Sequence, residues 1–78
     1  MVTPEQVKSY IEQGLACESV SVSGDGHHFE AVIVSAAFRG KNKVQQHQLV
    51  YRALGDRMRE EIHALSMQTY TPENFAQR

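Results

Sequence analysis

The sequence has few of the residues from which a cross-linked or highly charged domain is built. Cys17 is the one cysteine among 78 residues, which excludes an internal disulfide and the zinc motifs that need paired cysteines. The chain also has almost no net charge, since eight basic and nine acidic side chains give a formal value of −1. Strong nucleic-acid-binding domains usually carry a basic surplus, so the balance disfavours that class but leaves room for a local basic patch.

The familiar enzyme signatures are missing as well. There is no HExxH motif, no nucleophile elbow and no glycine-rich phosphate loop. Ser35 and Ser66 have no evident base beside them in the sequence pattern. We therefore expect a protein without catalytic turnover. No signal peptide and no apolar run of membrane-spanning length is visible, so we expect no membrane association and a reducing compartment, most simply the cytoplasm.

The length predicts one domain covering residues 1–78, because a chain of this size has only a modest core. A first helix is indicated by "TPEQVKSYIEQGL", in which Thr3 caps, Pro4 takes the first helical position and Gln6 completes a capping box. Its apolar stripe is predicted to comprise Val7, Tyr10, Ile11, Gly14 and Leu15. Gly14 indicates either the frayed helix end or a close contact between the helix and a sheet.

A β-hairpin follows the first helix. Valines alternate with serines at 20–23, and "SGDG" supplies residues that tolerate the positive φ of a tight turn. The second strand is predicted at about 28–35. Phe29, Ala31 and Ile33 are predicted on one face, and Glu30, Val32 and Val34 on the other.

The remaining chain predicts a helix, a strand and a short helix. "VQQHQLVYRALGDRM" places one stripe on the second helix, comprising Val44, His47, Tyr51, Leu54 and Met58. "EIHALSMQT" is typical of a third strand, and Thr71 and Pro72 begin a last helix. The order α-β-β-α-β-α predicts an α+β domain with a three-stranded sheet covered by helices on one face.

Four histidines are candidates for chemistry. His47 lies on the predicted apolar stripe, which favours a half-buried packing role. His27 and His28 follow the hairpin turn, either as polar residues at a strand start or as a metal ligand. His63 alternates with Ile62 and Ala64, so its side chain should face away from theirs and out of the core. Two histidines alone make a poor metal site, since zinc normally takes three or four protein ligands.

A basic connector precedes the second helix. Arg39, Lys41 and Lys43 surround Gly40, and they are either a solvated loop or a phosphate contact. The Gly-x-x-Gly motif by which KH domains clamp a nucleic-acid backbone is absent, because Lys43 stands where the second glycine is required.

Taken together, these residues resemble the BolA-like family over nearly the whole chain. The ordered elements are His28-Phe29, Val34-Ser35, Phe38-x-Gly40-Lys41, His47-x-x-Val50-Tyr51, Ile62-His63-Ala64-Leu65 and Thr69-x-Thr71-Pro72. The short "VSVSGDGHHF" hairpin is most similar to the bacterial branch that is related to the acid-stress member. The resemblance implies a fold similar to class II KH domains.

The resemblance also implies a partner, a monothiol (CGFS-type) glutaredoxin. In such complexes a 2Fe–2S cluster is shared, with the glutaredoxin cysteine and a bound glutathione as two of its ligands. His63 matches the family's C-terminal histidine ligand, and His27 or His28 stands in for the Cys or His of the hairpin loop. The isolated chain is then expected to be a monomer that holds no cofactor tightly, and Cys17 receives no role. Imidazole ligation should loosen in mild acid, because a protonated imidazole cannot bind metal.

A second role implied by the resemblance is transcriptional regulation through DNA binding. Two departures weaken it here, the slightly negative net charge and Gln46 and Gln48, where family members often carry arginine beside the histidine. Phosphate contacts would fall to Arg39, Lys41, Lys43 and Arg52. These are too few for tight non-specific binding at physiological salt.

Overall fold

A computed structural model describes residues 2–78, which form a three-stranded sheet with helices packed on one face. The predicted α+β class and the order of the main elements are confirmed. The elements are α1 (Pro4–Gly14), β1 (Ser19–Gly24), β2 (His28–Val34), a 3-10 turn (Ala36–Phe38), α2 (Lys43–Leu54), α3 (Arg57–Glu60), β3 (Ala64–Tyr70) and α4 (Pro72–Gln77). The single turn α3 was not predicted. Across residues 2–78, no helix has both the length and the apolar character needed to cross a bilayer.

The strand order is β1-β2-β3, with β1 and β2 antiparallel and β2 and β3 parallel. The parallel pairing follows from α2, which carries the chain back across the sheet before β3 begins. Phe29, Ala31 and Ile33 pack against the helices as predicted, and α1 contributes Val7 and Ile11 to the same core. The strands therefore share one buried face and leave the other largely open.

Val34 is buried although it belongs to the face predicted opposite Phe29. It was predicted on the same face as Glu30 and Val32, and it is 1% exposed. Burial therefore includes both faces at the last residue of β2, just before the 3-10 turn. Alternation describes only the regular part of a strand, and the burial of its last residue is set by tertiary packing.

The buried stripe of α2 differs from the prediction. Gln46, Val50 and Leu54 are buried, while Val44 is 67% exposed and Tyr51 is 42% exposed. The helix also ends at Gly55, whose φ of 59° suits glycine. Met58 therefore belongs to α3 and not to α2. Leu54 confirms one member of the predicted stripe, whereas Val44 and Tyr51 were wrong because spacing alone cannot choose between two overlapping faces of one helix.

Hydrogen bonds explain why a glutamine occupies the buried face of α2. The Gln46 side-chain amide donates to the carbonyl oxygens of Phe38 and Lys41, at 3.3 and 2.9 Å. Its Oε1 accepts a 2.6 Å bond from the Thr69 hydroxyl. Gln46 thus joins the connector, α2 and β3 while keeping its buried polar atoms paired.

Gly14 makes a close contact between two helices, not between a helix and the sheet. A Cβ atom at this position would lie 2.7 Å from the Ala53 carbonyl oxygen on α2. That distance is too short for non-bonded atoms, so only glycine lets α1 and α2 approach this closely.

The third strand begins later than predicted, at Ala64 and not at Glu61. The amides of Glu61 and Ile62 both donate to the Arg57 carbonyl oxygen, at 2.9 and 3.0 Å, so they complete the turn of α3. His63 lies between this turn and the strand. Its predicted direction is confirmed, since Ile62 is buried and His63 is exposed.

Candidate functional site

Three of the four histidines meet at one end of the sheet. The ring centroids of His27 and His63 lie 6.0 Å apart, and those of His28 and His63 lie 6.3 Å apart. All three side chains are exposed. The fold therefore joins the hairpin turn to the residue that precedes β3, although the two segments are far apart in the sequence.

A short Asx-type turn orients the two hairpin histidines. Asp25 Oδ1 accepts hydrogen bonds from the backbone amides of His27 and His28, both at 2.9 Å. The Asp25 amide donates to the His28 carbonyl oxygen at 3.2 Å, and Gly26 has a φ of 100°. Asp-Gly thus does more than reverse the chain, because the aspartate side chain fixes the backbone of both histidines.

The parallel ladder positions His63. The Ala64 amide donates to the His27 carbonyl oxygen at 3.1 Å, and Ala64 pairs in register with His28. His63 immediately precedes Ala64, so the ladder holds it beside the turn. The predicted proximity of His63 to the hairpin end is confirmed.

Electrostatics keep the turn intact in mild acid. The amide hydrogen bonds from His28 and His27, in that order, hold the pKa of the Asp25 carboxyl below its ordinary value. Because the pKa is lower in the folded state, the Asp25 carboxylate contributes to folding stability above about pH 3.9, the ordinary pKa of aspartate. That contribution is lost as the pH falls through the folded-state pKa. Protonation of Asp25 therefore does not disturb the histidines near neutral pH.

The histidine pairs suit a metal ion whose remaining ligands come from another molecule. Two imidazoles that bind one metal through bonds of about 2 Å have ring centroids roughly 5 to 6 Å apart, close to the observed separations. Among residues 2–78, however, no group of three or more His, Cys, Asp or Glu side chains is arranged to hold a metal ion. His63 and one hairpin histidine can thus supply two imidazole nitrogen ligands, and any further ligands must come from another molecule.

The other candidate ligands lie apart from this end of the sheet. His47 is half-buried on α2, as predicted, and borders a groove beside β3 together with Lys43 and Tyr70. Cys17 is partly buried and its thiol donates to the Leu15 carbonyl oxygen at 3.3 Å. Burial, and to a lesser degree Glu12, raises the pKa of this thiol, which disfavours the thiolate needed for metal binding.

The four basic candidates divide into two pairs. Arg39 forms a bidentate ion pair with Glu73 of α4, and Lys43 donates to the Thr69 carbonyl oxygen. Lys41 and Arg52 are exposed and border one shallow depression, and neither makes an ion pair within residues 2–78. Two of the four predicted phosphate contacts are therefore already engaged within the domain.

Sequence reasoning missed two positioning residues, Asp25 and Gln46. A signal existed for Asp25, because an aspartate two residues before His27 can accept backbone amides in a turn. No sequence signal existed for Gln46, since a glutamine on a helix is normally expected to be exposed.

Comparison with known proteins agrees with this architecture. The chain matches the family described as BolA-like protein over residues 7–74. Acid stress protein IbaG of Escherichia coli K12 is 36% identical over 72 residues, covering 91% of this chain and 86% of that protein. DNA-binding transcriptional regulator BolA of Haemophilus influenzae is 44% identical over 52 residues, covering 67% of this chain and 50% of that protein. The solved structure of a bolA protein homologue from Coxiella burnetii has a TM-score of 0.87 and 47% identity, covering 97% of this chain and 99% of that one.

Proposed function

The chain belongs to the BolA-like family, and on that premise we propose that it is a non-enzymatic partner of a monothiol (CGFS-type) glutaredoxin. The two proteins would hold a glutathione-dependent 2Fe–2S cluster between them for iron–sulfur assembly or trafficking and for iron or stress regulation. The observation that supports this most directly is the exposed His63 imidazole, 6.0 and 6.3 Å from the rings of His27 and His28.

The ligand count fits a shared cluster. A 2Fe–2S cluster needs four protein or thiol ligands, and the glutaredoxin cysteine and glutathione supply two thiolates. This chain contributes His63 and one hairpin histidine, which are neutral when deprotonated. Nitrogen ligands on one iron raise the reduction potential of such a cluster.

The position of the histidines also suits a contact between two proteins. They are exposed at the end of the sheet, so a second protein can approach them without rearranging the core. Asp25 and the Ala64 amide fix the backbone on both sides. Little ordering of the chain is then required when the complex forms, which favours binding.

We expect His63→Ala to abolish the histidine-dependent spectrum of the reconstituted heterocomplex while leaving the fold intact. The chain, a monothiol glutaredoxin, glutathione, iron and sulfide are mixed anaerobically, and visible circular dichroism is recorded. The wild-type complex should differ from the glutaredoxin homodimer, and the variant should not. His47→Ala is the matched control, because it removes an imidazole that lies away from the site. A wild-type spectrum for His63→Ala would contradict the proposal.

DNA binding is a second candidate, favoured by the name of the Haemophilus influenzae relative. Of the four basic candidates, Arg39 and Lys43 are engaged within the domain, which leaves Lys41 and Arg52 for phosphate. Each phosphate contact contributes a slope of roughly −0.9 to log K against log salt.

We therefore expect weak duplex binding with a slope of about −2 between ~50 and ~150 mM salt, measured by fluorescence anisotropy. Lys41→Ala and Arg52→Ala should each lower that slope by about one. Lys8→Ala on α1 provides the control, and a slope that the first two variants leave unchanged would argue against this interface.

A further inference from the structure

We infer that His27 and His28 are alternative ligands, and that each in turn completes a two-imidazole site with His63. The inference rests on the proposed function, because it concerns which side chains hold the shared cluster. It goes further by assigning both hairpin histidines to the site, where a fixed site would use one.

The two possible pairs are nearly equivalent in geometry. The centroid separations from His63 differ by only a few tenths of an ångström, 6.0 Å for His27 and 6.3 Å for His28. Both ring pairs meet edge-on, at interplanar angles of 88° and 84°. Neither hairpin imidazole forms a side-chain hydrogen bond or an ion pair within residues 2–78 that would hold it in another direction.

The proposed cluster has room for only two of the three rings. The glutaredoxin cysteine and glutathione supply two of its four ligands, which leaves two for this chain, and His63 with one hairpin histidine fills them. This agrees with the finding that residues 2–78 contain no converging group of three metal-ligating side chains. His63 can therefore pair with one hairpin histidine at a time.

Exchange between the pairs requires only side-chain rotation. The Asp25 bonds fix the amides of His27 and His28, and the Ala64 amide fixes the His27 carbonyl oxygen. The three imidazoles are exposed, and exposed side chains change rotamer on the picosecond to nanosecond timescale. The site can thus exchange one ligand while His63 and the partner's ligands remain in place.

The consequence is tolerance of a single loss. When two arrangements of similar affinity hold the same cluster, each accounts for about half of the bound complexes. Removing one arrangement therefore lowers the affinity for the cluster about twofold. Each single substitution should therefore weaken retention only about twofold, and the double substitution should remove the hairpin's contribution entirely.

The test uses the cluster-loaded heterocomplex with His27→Ala, His28→Ala, the double variant and His63→Ala. Cluster release to a chelator is timed, and visible circular dichroism and the electron paramagnetic resonance of the reduced cluster report the ligands. We expect each single variant to keep a histidine-type spectrum and to release the cluster about twofold faster. The double variant should match His63→Ala in both measurements.

Two results would count against the inference, and they are distinguishable. If one single variant already matches the double variant while the other behaves as wild type, the site has one fixed hairpin ligand and only the inference fails. If the double variant and His63→Ala both keep the wild-type spectrum, the histidines do not bind the cluster and the proposed function fails as well. Far-ultraviolet circular dichroism of each variant verifies that the fold is retained.

Discussion

Replacing Phe29 with alanine is expected to lower the free energy of unfolding by about 3–5 kcal/mol. The ring is 1% exposed and lies in β2, which is the central strand and pairs on both sides. A domain of 78 residues has a total stability of roughly 4–12 kcal/mol, so much of the folded population should be lost. Urea denaturation followed by circular dichroism gives the change.

The matched control is Phe75→Ala on α4. Phe75 is half-buried, and its ring contacts that of Tyr70 at a centroid distance of 5.6 Å. We expect its removal to cost about 1 kcal/mol. Equal losses in the two variants would contradict the assignment of Phe29 to the core. Because Phe29 directly follows His28, its loss should also broaden the amide resonances of the hairpin histidines.

Gln46→Leu is expected to destabilise the domain by about 2–4 kcal/mol, although leucine is apolar and the position is buried. The substitution removes three hydrogen bonds and leaves the Thr69 hydroxyl and the Lys41 carbonyl oxygen without their partner, while the Phe38 carbonyl oxygen keeps its bond from the Lys41 amide. A buried polar group left unpaired costs about 1–3 kcal/mol. Thermal and urea unfolding measure the change.

Gln48→Leu makes the same chemical change two residues further along α2, where the side chain is exposed. It should alter stability by less than about 0.5 kcal/mol. Adding Thr69→Val to Gln46→Leu removes the hydroxyl that was left unpaired, so the double variant should recover part of the loss. If the double variant recovers no stability, or if both glutamine substitutions cost the same, the loss in Gln46→Leu does not come from the hydrogen bond to Thr69.

Local signals predicted the parts of the fold that local chemistry determines. Thr3 accepts the Gln6 amide at 3.1 Å and Gln6 accepts the Thr3 amide at 2.8 Å, as the capping-box pattern indicates. The alternation of Phe29, Ala31 and Ile33 identified the buried face of β2. These features depend on contacts between close neighbours or on a strict period of two.

Features that depend on packing between distant segments were predicted poorly. The α2 stripe was predicted correctly at Leu54 but not at Val44 and Tyr51, because the apolar pattern of the helix is weak and the position that bonds Thr69 is a glutamine. The start of β3 was wrong because Glu61 and Ile62 complete a helical turn through the Arg57 carbonyl oxygen. The spacing of apolar residues predicts neither the buried glutamine of α2 nor the helical turn that delays β3.

The candidate site was predicted in part for the same reason. The outward direction of His63 followed from alternation with Ile62, and its proximity to the hairpin followed from the family resemblance. The bonds from Asp25 to both histidine amides, and the similar distances from His63 to the two rings, appear only once the strands are paired. The binding of a shared cluster by these histidines stays a prediction, which the reconstitution with a monothiol glutaredoxin tests.

The parallel ladder between β2 and β3 also sets when the histidines can meet during folding. The hairpin needs only neighbouring residues and can form early, whereas His63 reaches it after α2 has crossed the sheet. Pairing of distant segments is slow because the loop between them must first be closed. A chain still leaving the ribosome can therefore expose the hairpin histidines but has no imidazole pair to offer. The imidazole pair that we propose as cluster ligands is thus assembled in the last steps of folding and is lost as soon as β3 detaches.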